Sequence, residues 1–168
     1  MNTDIIIIKG APGSGKSETA NILSAHFPKG VKIEVDYLRG MIISVDWENL
    51  EEHLNSLKVA ANLTLNFLKF NYKPVIVIDT FSMGKEYIFI NSLLEKKDNL
   101  NIKIFGLFVN EDELKKRLGE RSSEQYNNFI LSNDVNKEVI NIKDEKIIII
   151  DTSNKTAEEI ANYIFNCL

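Results

Sequence analysis

Gly10-Ala11-Pro12-Gly13-Ser14-Gly15-Lys16-Ser17 is a complete G-x-x-x-x-G-K-S run. Four isoleucines, Ile5 to Ile8, precede it, and a helix-compatible stretch from Glu18 to Phe27 follows it. Strand, small-residue loop and helix in that order make a cradle for phosphate. Successive backbone N–H groups curl around the anion, and the helix N-terminus adds partial positive charge. Lys16 can reach the outer phosphates of a nucleotide, and the Ser17 hydroxyl can ligate Mg²⁺. The residues expected to touch the nucleotide are Gly10, Ala11, Pro12, Gly13, Ser14, Gly15, Lys16, Ser17 and Glu18.

Outward from the loop, strand and helix patterns alternate. Val31–Val35, Val75–Ile78, Ile102–Val109 and Ile147–Ile150 read as further strands after Ile5–Lys9. The segment from Asp36 to about Ile43 reads as a turn or short helix. Asp46 reads as the cap of a long amphipathic helix on which Leu50, Leu54, Leu57, Ala61, Leu65 and Leu68 recur at steps of three and four. Lys73-Pro74 ends that pattern. Lys85 to Lys97, Asp112 to about Gly119, stretches within Glu124–Ile142, and Thr156–Phe165 read as helices. Thr156 and Glu159 are spaced as a capping box. Apolar, β-branched strands separated by helices predict an α/β fold in three layers: a five-stranded parallel sheet with helices on both faces.

The chain has 168 residues, the length of one domain, so residues 1–168 are read as a single unit. Net charge is −4 and pI about 5.3, which argues against a broad basic footprint for duplex nucleic acid. The single cysteine, Cys167, permits no internal disulfide and fits a reducing compartment. Met1-Asn2-Thr3-Asp4 carries no basic region, and the apolar run after it is too short to span a membrane. A cytoplasmic protein with no membrane partner is the expectation. His26, His53 and Cys167 show no metal-ligand spacing, so both histidines are read as structural or surface residues.

Ligands of parallel sheets bind beyond the carboxyl ends of the strands. After the second strand comes Asp36, placed to accept a proton from an attacking hydroxyl, with Arg39 three residues on to hold it or to bind an anionic acceptor. A helix-capping Asp36 with a surface Arg39 is the bland alternative. Tyr37, Met41 and Trp47 either line an acceptor pocket or pack in the core. Asp79 ends the third apolar run and is the candidate Mg²⁺ carboxylate, against a plain turn aspartate. Arg117 and Arg121 share a face if the helix persists through Gly119, and could close on the phosphates as a lid, against a solvated basic face with Lys115 and Lys116. Asp151-Thr152-Ser153 follows the fifth strand.

These motifs resemble the small P-loop kinases of the shikimate and gluconate kinase type. The likeness is nearest to polynucleotide 5′-hydroxyl kinases, chloramphenicol phosphotransferase and zeta-toxin kinases, and it spans nearly the whole chain. The resemblance implies a P-loop NTPase fold with sheet order 2-3-1-4-5. It implies ATP and Mg²⁺ as cofactors and a hydroxyl acceptor. Asp36 matches the acceptor-activating aspartate, Asp36 with Arg39 looks like a D-x-x-R pair, and Arg117 with Arg121 looks like an R-x-x-x-R lid. Asp151 and Thr152 resemble the segment beside the adenine. The acceptor region would then be about residues 36–70 and the lid about 111–130. Glu18 stands where relatives carry a second hydroxyl, and no dedicated acceptor signature is visible.

The expected activity is transfer of the γ-phosphate to a hydroxyl of a small molecule, a nucleoside or a nucleic-acid 5′ end. A nucleoside monophosphate kinase is an alternative that needs cations for the acceptor phosphate. A nucleotide-dependent switch is another, but the guanine motif N-K-x-D is missing: Asn136-Lys137 is followed by Glu138-Val139.

Overall fold

The computed structural model describes residues 2–122 and 126–168. Strand β1 (Ile5–Gly10) lies at the centre of a five-stranded parallel sheet with order β2-β3-β1-β4-β5. The others are β2 (Val31–Glu34), β3 (Val75–Asp79), β4 (Ile102–Phe108) and β5 (Ile147–Asp151). Ile5 to Lys9 pair in register with Val75 to Asp79 on one side and with Ile102 to Gly106 on the other. The helices are α1 (Lys16–Ser24), α2 (Val35–Arg39), α3 (Leu50–Lys69), α4 (Lys85–Leu94), α5 (Glu111–Gly119), α6 (Phe129–Ile140) and α7 (Ala157–Asn166).

Side chains alternate across a strand. Ile5 and Ile7 therefore pack with Leu57, Ala60, Ala61, Phe89 and Leu93 beneath α3 and α4. Ile6 and Ile8 point the other way, onto Ala20 and Leu23 of α1 and Ile160 and Ile164 of α7. All four isoleucines are fully buried. Each such side chain contributes about 1.5–3 kcal/mol relative to exposure, which is why the run is apolar without alternation. A smaller cluster of Val109, Leu114 and Leu118, with Phe129 against it, joins α5 to α6.

Several boundaries differ from the sequence reading. Helix α1 begins at Lys16, inside the loop motif, and ends at Ser24. The cap of α3 is Asn49, whose side chain accepts from the Glu52 amide, so Asp46 is not the cap. Asp46 instead accepts from the Glu48 amide in the turn before it. The buried face of α3 carries His53, Ser56, Leu57, Ala60, Ala61, Thr64 and Leu68, while Leu50 is exposed. Ser56 and Thr64 sit on this face because their hydroxyls donate to carbonyls one turn back. Helix α4 ends at Leu94 rather than at Lys97. The Thr156–Glu159 capping box of α7 is present as read. Of the helical stretches read within Glu124–Ile142, residues 124–125 lie outside the described residues, as does residue 123 of the lid.

One buried interaction has no counterpart in the sequence reading. Lys9, in β1, is 1% exposed and its Nζ donates to Glu86 Oε1 of α4 at 2.5 Å. Removing one partner of such a pair strands the other charge in a dry interior. Lys9→Met alone should therefore destabilise the fold by about 3–5 kcal/mol, and Lys9→Met with Glu86→Leu should recover most of that loss. Urea unfolding followed by circular dichroism decides it. Equal stability of the single variant and the parent would remove the pair from any structural role.

Candidate active site

The phosphate cradle depends on glycines where the backbone is pressed against its neighbours. A Cβ on Gly10 would stand 2.4 Å from the Leu107 carbonyl oxygen, and one on Gly13, at φ 89°, 3.0 Å from Leu114 Cδ1. The loop thus lies flat between β4 and α5. Gly15 caps α1 without any side-chain bond. Helices α3, α5, α6 and α7 each begin on a side-chain oxygen that accepts a first-turn amide. The first amides of α1 lack such a partner, and an anion is what a helix end of this kind accepts. Ser14 Oγ and Thr19 Oγ1, both buried beside the loop, also have no hydrogen-bond partner among the described residues. Lys16 folds back so that Nζ donates to the Ala11 carbonyl at 2.9 Å. A cleft of about 640 Å³ opens over the cradle, with Arg117 and Arg121 on one wall and Lys155, Thr156 and Ile160 on another.

Burial lowers the Lys16 pKa from 10.5 to about 8, although the charges of Asp79, Asp36 and Glu34 oppose the fall. Three carboxylates from the ends of β2, α2 and β3 therefore surround this ammonium. Glu34 accepts the Ser17 hydroxyl at 2.9 Å and Lys32 Nζ at 2.7 Å. With its proton given to Glu34, Ser17 keeps its lone pairs for a cation. Asp36 stands in the first turn of α2 and is open to solvent on one side. The protein crowded around its carboxyl raises its pKa above the ordinary carboxylate value. The Asp79 charge adds to that rise, while Lys16, His53 and Arg39 oppose it.

Asp79 is buried, and its Oδ2 meets His53 Nε2 at 3.0 Å and accepts the Phe81 amide at 3.2 Å. His53, read from the sequence as structural or surface, is thus buried against a candidate site carboxylate, a contact the sequence did not show. Its signal was its position on the inward face of α3, four residues before Leu57. Glu34 was missed as well, because a strand-ending glutamate has no motif of its own. Among the described residues no three His, Cys, Asp or Glu side chains cage a metal.

Arg39 does not reach toward the cradle. It is 5% exposed, its Nη2 donates to the carbonyls of Asp46 at 2.6 Å and Asn49 at 3.0 Å, and it stacks on Trp47. It closes the segment between α2 and α3. Arg117 donates to Glu113 Oε1 at 2.9 Å and to the Thr152 carbonyl at 2.9 Å. Helix α5 ends at Gly119, so Arg121 lies in the following turn, where its Nη1 donates to the Tyr126 carbonyl at 2.8 Å. The two arginines share the cleft but not a helix face. Thr152 is fully buried, its hydroxyl 3.2 Å from the Ser14 carbonyl and 3.0 Å from that of Phe108. Asp151 accepts both the amide and the hydroxyl of Ser153. Asn136 brackets Val109, accepting its amide and donating to its carbonyl.

The fold is that of the P-loop kinases. A sugar kinase of Janibacter sp. HTCC2649 superposes with TM-score 0.72 at 15% identity, over 98% of this chain and 93% of that one. The APS kinase of Mycobacterium tuberculosis, solved with AMPPNP and APS, gives 0.71 at 10% identity over 98% and 96%. The tunicamycin resistance protein of Deinococcus radiodurans gives 0.68 at 17% identity over 98% and 95%. Among characterised sequences, the adenylate kinase of Campylobacter concisus (strain 13826) is 26% identical over 141 residues, 77% of this chain and 75% of that protein. No family model matches the chain.

The depressed Lys16 pKa makes nucleotide binding a proton-linked event. Phosphates favour the charged ammonium, so near pH 8 binding of Mg·ADP should take up about half a proton. Calorimetry in buffers of different ionisation enthalpy measures this. Uptake should vanish toward pH 6, where Lys16 is already charged; a pH-independent enthalpy would exclude the coupling.

Proposed function

We propose that the chain is an ATP- and Mg²⁺-dependent phosphotransferase that moves the γ-phosphoryl group to a hydroxyl, with Asp36 as general base. One observation carries this reading. The uncapped start of α1 and Lys16 stand within electrostatic reach of Asp36, a carboxylate whose pKa is raised. An anion cradle beside a proton acceptor is what in-line attack by an alcohol requires.

The acceptor hydroxyl gives its proton to Asp36 as its oxygen bonds to the γ-phosphorus, and the bridging oxygen leaves with ADP. The loop amides and Lys16 hold the phosphates throughout. Arg121, whose charge reaches Lys16, is assigned to the transferred phosphoryl group. Arg117, fixed by Glu113 and Thr152, is assigned to the rim of the nucleotide cleft, and Asp151 and Thr152 to the wall beside the base. Ser17 and Asp79 are the residues that would hold Mg²⁺, which when bound neutralises charge on the phosphate oxygens. A cytoplasmic location, where ATP is supplied, belongs to this reading; separately, no helix among the described residues is long and apolar enough to cross a membrane.

A nucleoside monophosphate kinase is the second reading, favoured by the 26% identity to an adenylate kinase. It needs cations for the acceptor phosphate; Arg39 is buried, with Nη2 on the carbonyls of Asp46 and Asn49 and Nε without a partner among the described residues.

Asp36 must be ionised to accept a proton, so activity should rise with pH through its raised pKa. Asp36→Asn should lower kcat by about 10²- to 10⁴-fold and leave Mg·ADP affinity intact. ADP release would be followed across nucleosides, 5′-hydroxyl oligonucleotides, sugars and hydroxylated antibiotics. Acceptor-stimulated turnover that survives Asp36→Asn, or an unchanged acid limb in its pH profile, would remove Asp36 as the base.

A further inference from the structure

We propose that His53 is a positioning residue of the site: its ring N–H holds one oxygen of Asp79 so that the other is presented to Mg²⁺. The proposal rests on the assignment of Asp79 to Mg²⁺ in the reading above.

Asp79 ends β3 with its side chain 1% exposed. Its Oδ2 meets His53 Nε2 at 3.0 Å and accepts the Phe81 amide at 3.2 Å. An ionised carboxylate only accepts, so Nε2 carries the proton of that bond in either charge state of the ring. Two donors fill the two lone pairs of Oδ2, and Oδ1 has no hydrogen-bond partner among the described residues. Turning the carboxyl would break both bonds at once, so Oδ1 is the oxygen left to a ligand. The Asp79 charge is the foremost of those acting on Lys16, whose chain neighbour Ser17 gives its hydroxyl proton to Glu34. A carboxylate oxygen and a hydroxyl oxygen are hard donors of the kind Mg²⁺ takes.

Among the described residues no other side chain hydrogen-bonds Asp79. Lys9 stands beside it in register, but its Nζ donates to Glu86. His53 reaches Asp79 from the inward face of α3, which continues through Leu57, Ala60, Ala61 and Leu68. Packing alone asks only for an apolar side chain at 53. The imidazole adds a donor, and that donor meets Asp79. Without it the carboxylate keeps one bond, to the Phe81 amide, and can swing about it. A partner one step removed from a metal is typically worth about 10- to 100-fold in metal affinity or activity.

The test measures binding of AMPPNP, a non-hydrolysable ATP analogue, by calorimetry with Mg²⁺ and with a chelator. The parent should bind more tightly with Mg²⁺. His53→Leu should cut that gain by about tenfold or more and leave the metal-free affinity unchanged. His53→Gln, whose amide can donate to the same oxygen, should restore most of the gain. Thr64→Val, on the same buried face but bonded only to its own helix, should leave the gain intact whatever it does to the melting temperature. Because His53 acts through Asp79, adding His53→Leu to Asp79→Asn should cost nothing further. Should His53→Leu fail to fold by circular dichroism, His53→Asn, one carbon shorter than the glutamine, takes its place. Full gain in His53→Leu, a His53→Gln no better than His53→Leu, or losses that multiply in the double variant would overturn the proposal. A parent that binds AMPPNP equally with and without Mg²⁺ would overturn it together with the Mg²⁺ assignment. The expected losses in a protein that no hydroxyl acceptor stimulates would keep the role of His53 and remove the phosphotransferase reading instead.

Discussion

The approach of the Gly10–Lys16 backbone to β4 is the constraint on which the rest of the carboxyl edge depends. At Gly10 there is no room for a side chain before the Leu107 carbonyl. The Thr152 hydroxyl then ties the loop, through Ser14, to the ends of β4 and β5, and Arg117 ties Thr152 to α5. A buried, multiply bonded threonine makes the loop a rigid object rather than a flexible turn. Preorganised amides need no rearrangement when charge develops on a phosphate, which is the advantage of a fixed cradle over a mobile one.

The second organising fact is electrostatic. One ammonium, Lys16, stands among carboxylates from several elements, and each carboxylate is restrained differently. Glu34 is engaged by Ser17 and Lys32, Asp79 by His53 and a backbone amide, while Asp36 is left on the solvent side. The Asp36 pKa is raised, first by the protein packed around its carboxyl and then by the Asp79 charge.

The strands were legible because a sheet covered on both faces leaves uninterrupted apolar runs, and their ends were read to within a residue or so. The order of the strands was not in those runs; it came through likeness of motifs and agrees with the structure. The caps were less legible. Asp46 and Asn49 are both good helix starters, and only the direction in which the chain enters α3 favours Asn49. His53 was passed over because a lone histidine has no spacing to read; its partner, Asp79, is 26 residues away and meets it only once α3 packs on β3. Arg39 was left between holding Asp36, binding an anionic acceptor and lying on the surface, because sequence shows charge but not direction; the structure buries it. Its burial follows from the need of the 40–49 segment for donors to its carbonyls.

The central position of β1 also governs how the chain comes together in time. It is synthesised first of the strands, yet its two neighbours, β3 and β4, begin at Val75 and Ile102. Its pairings close long loops, and such topologies fold slowly. Until β3 and β4 are made, Ile5-Ile6-Ile7-Ile8 is an unpaired, uncharged, β-branched segment of the kind that self-associates. The same run that gives the finished molecule its driest core is therefore its most adhesive surface during synthesis. A chaperone that meets this chain early should find its handhold there, at the strand that later carries the phosphate loop.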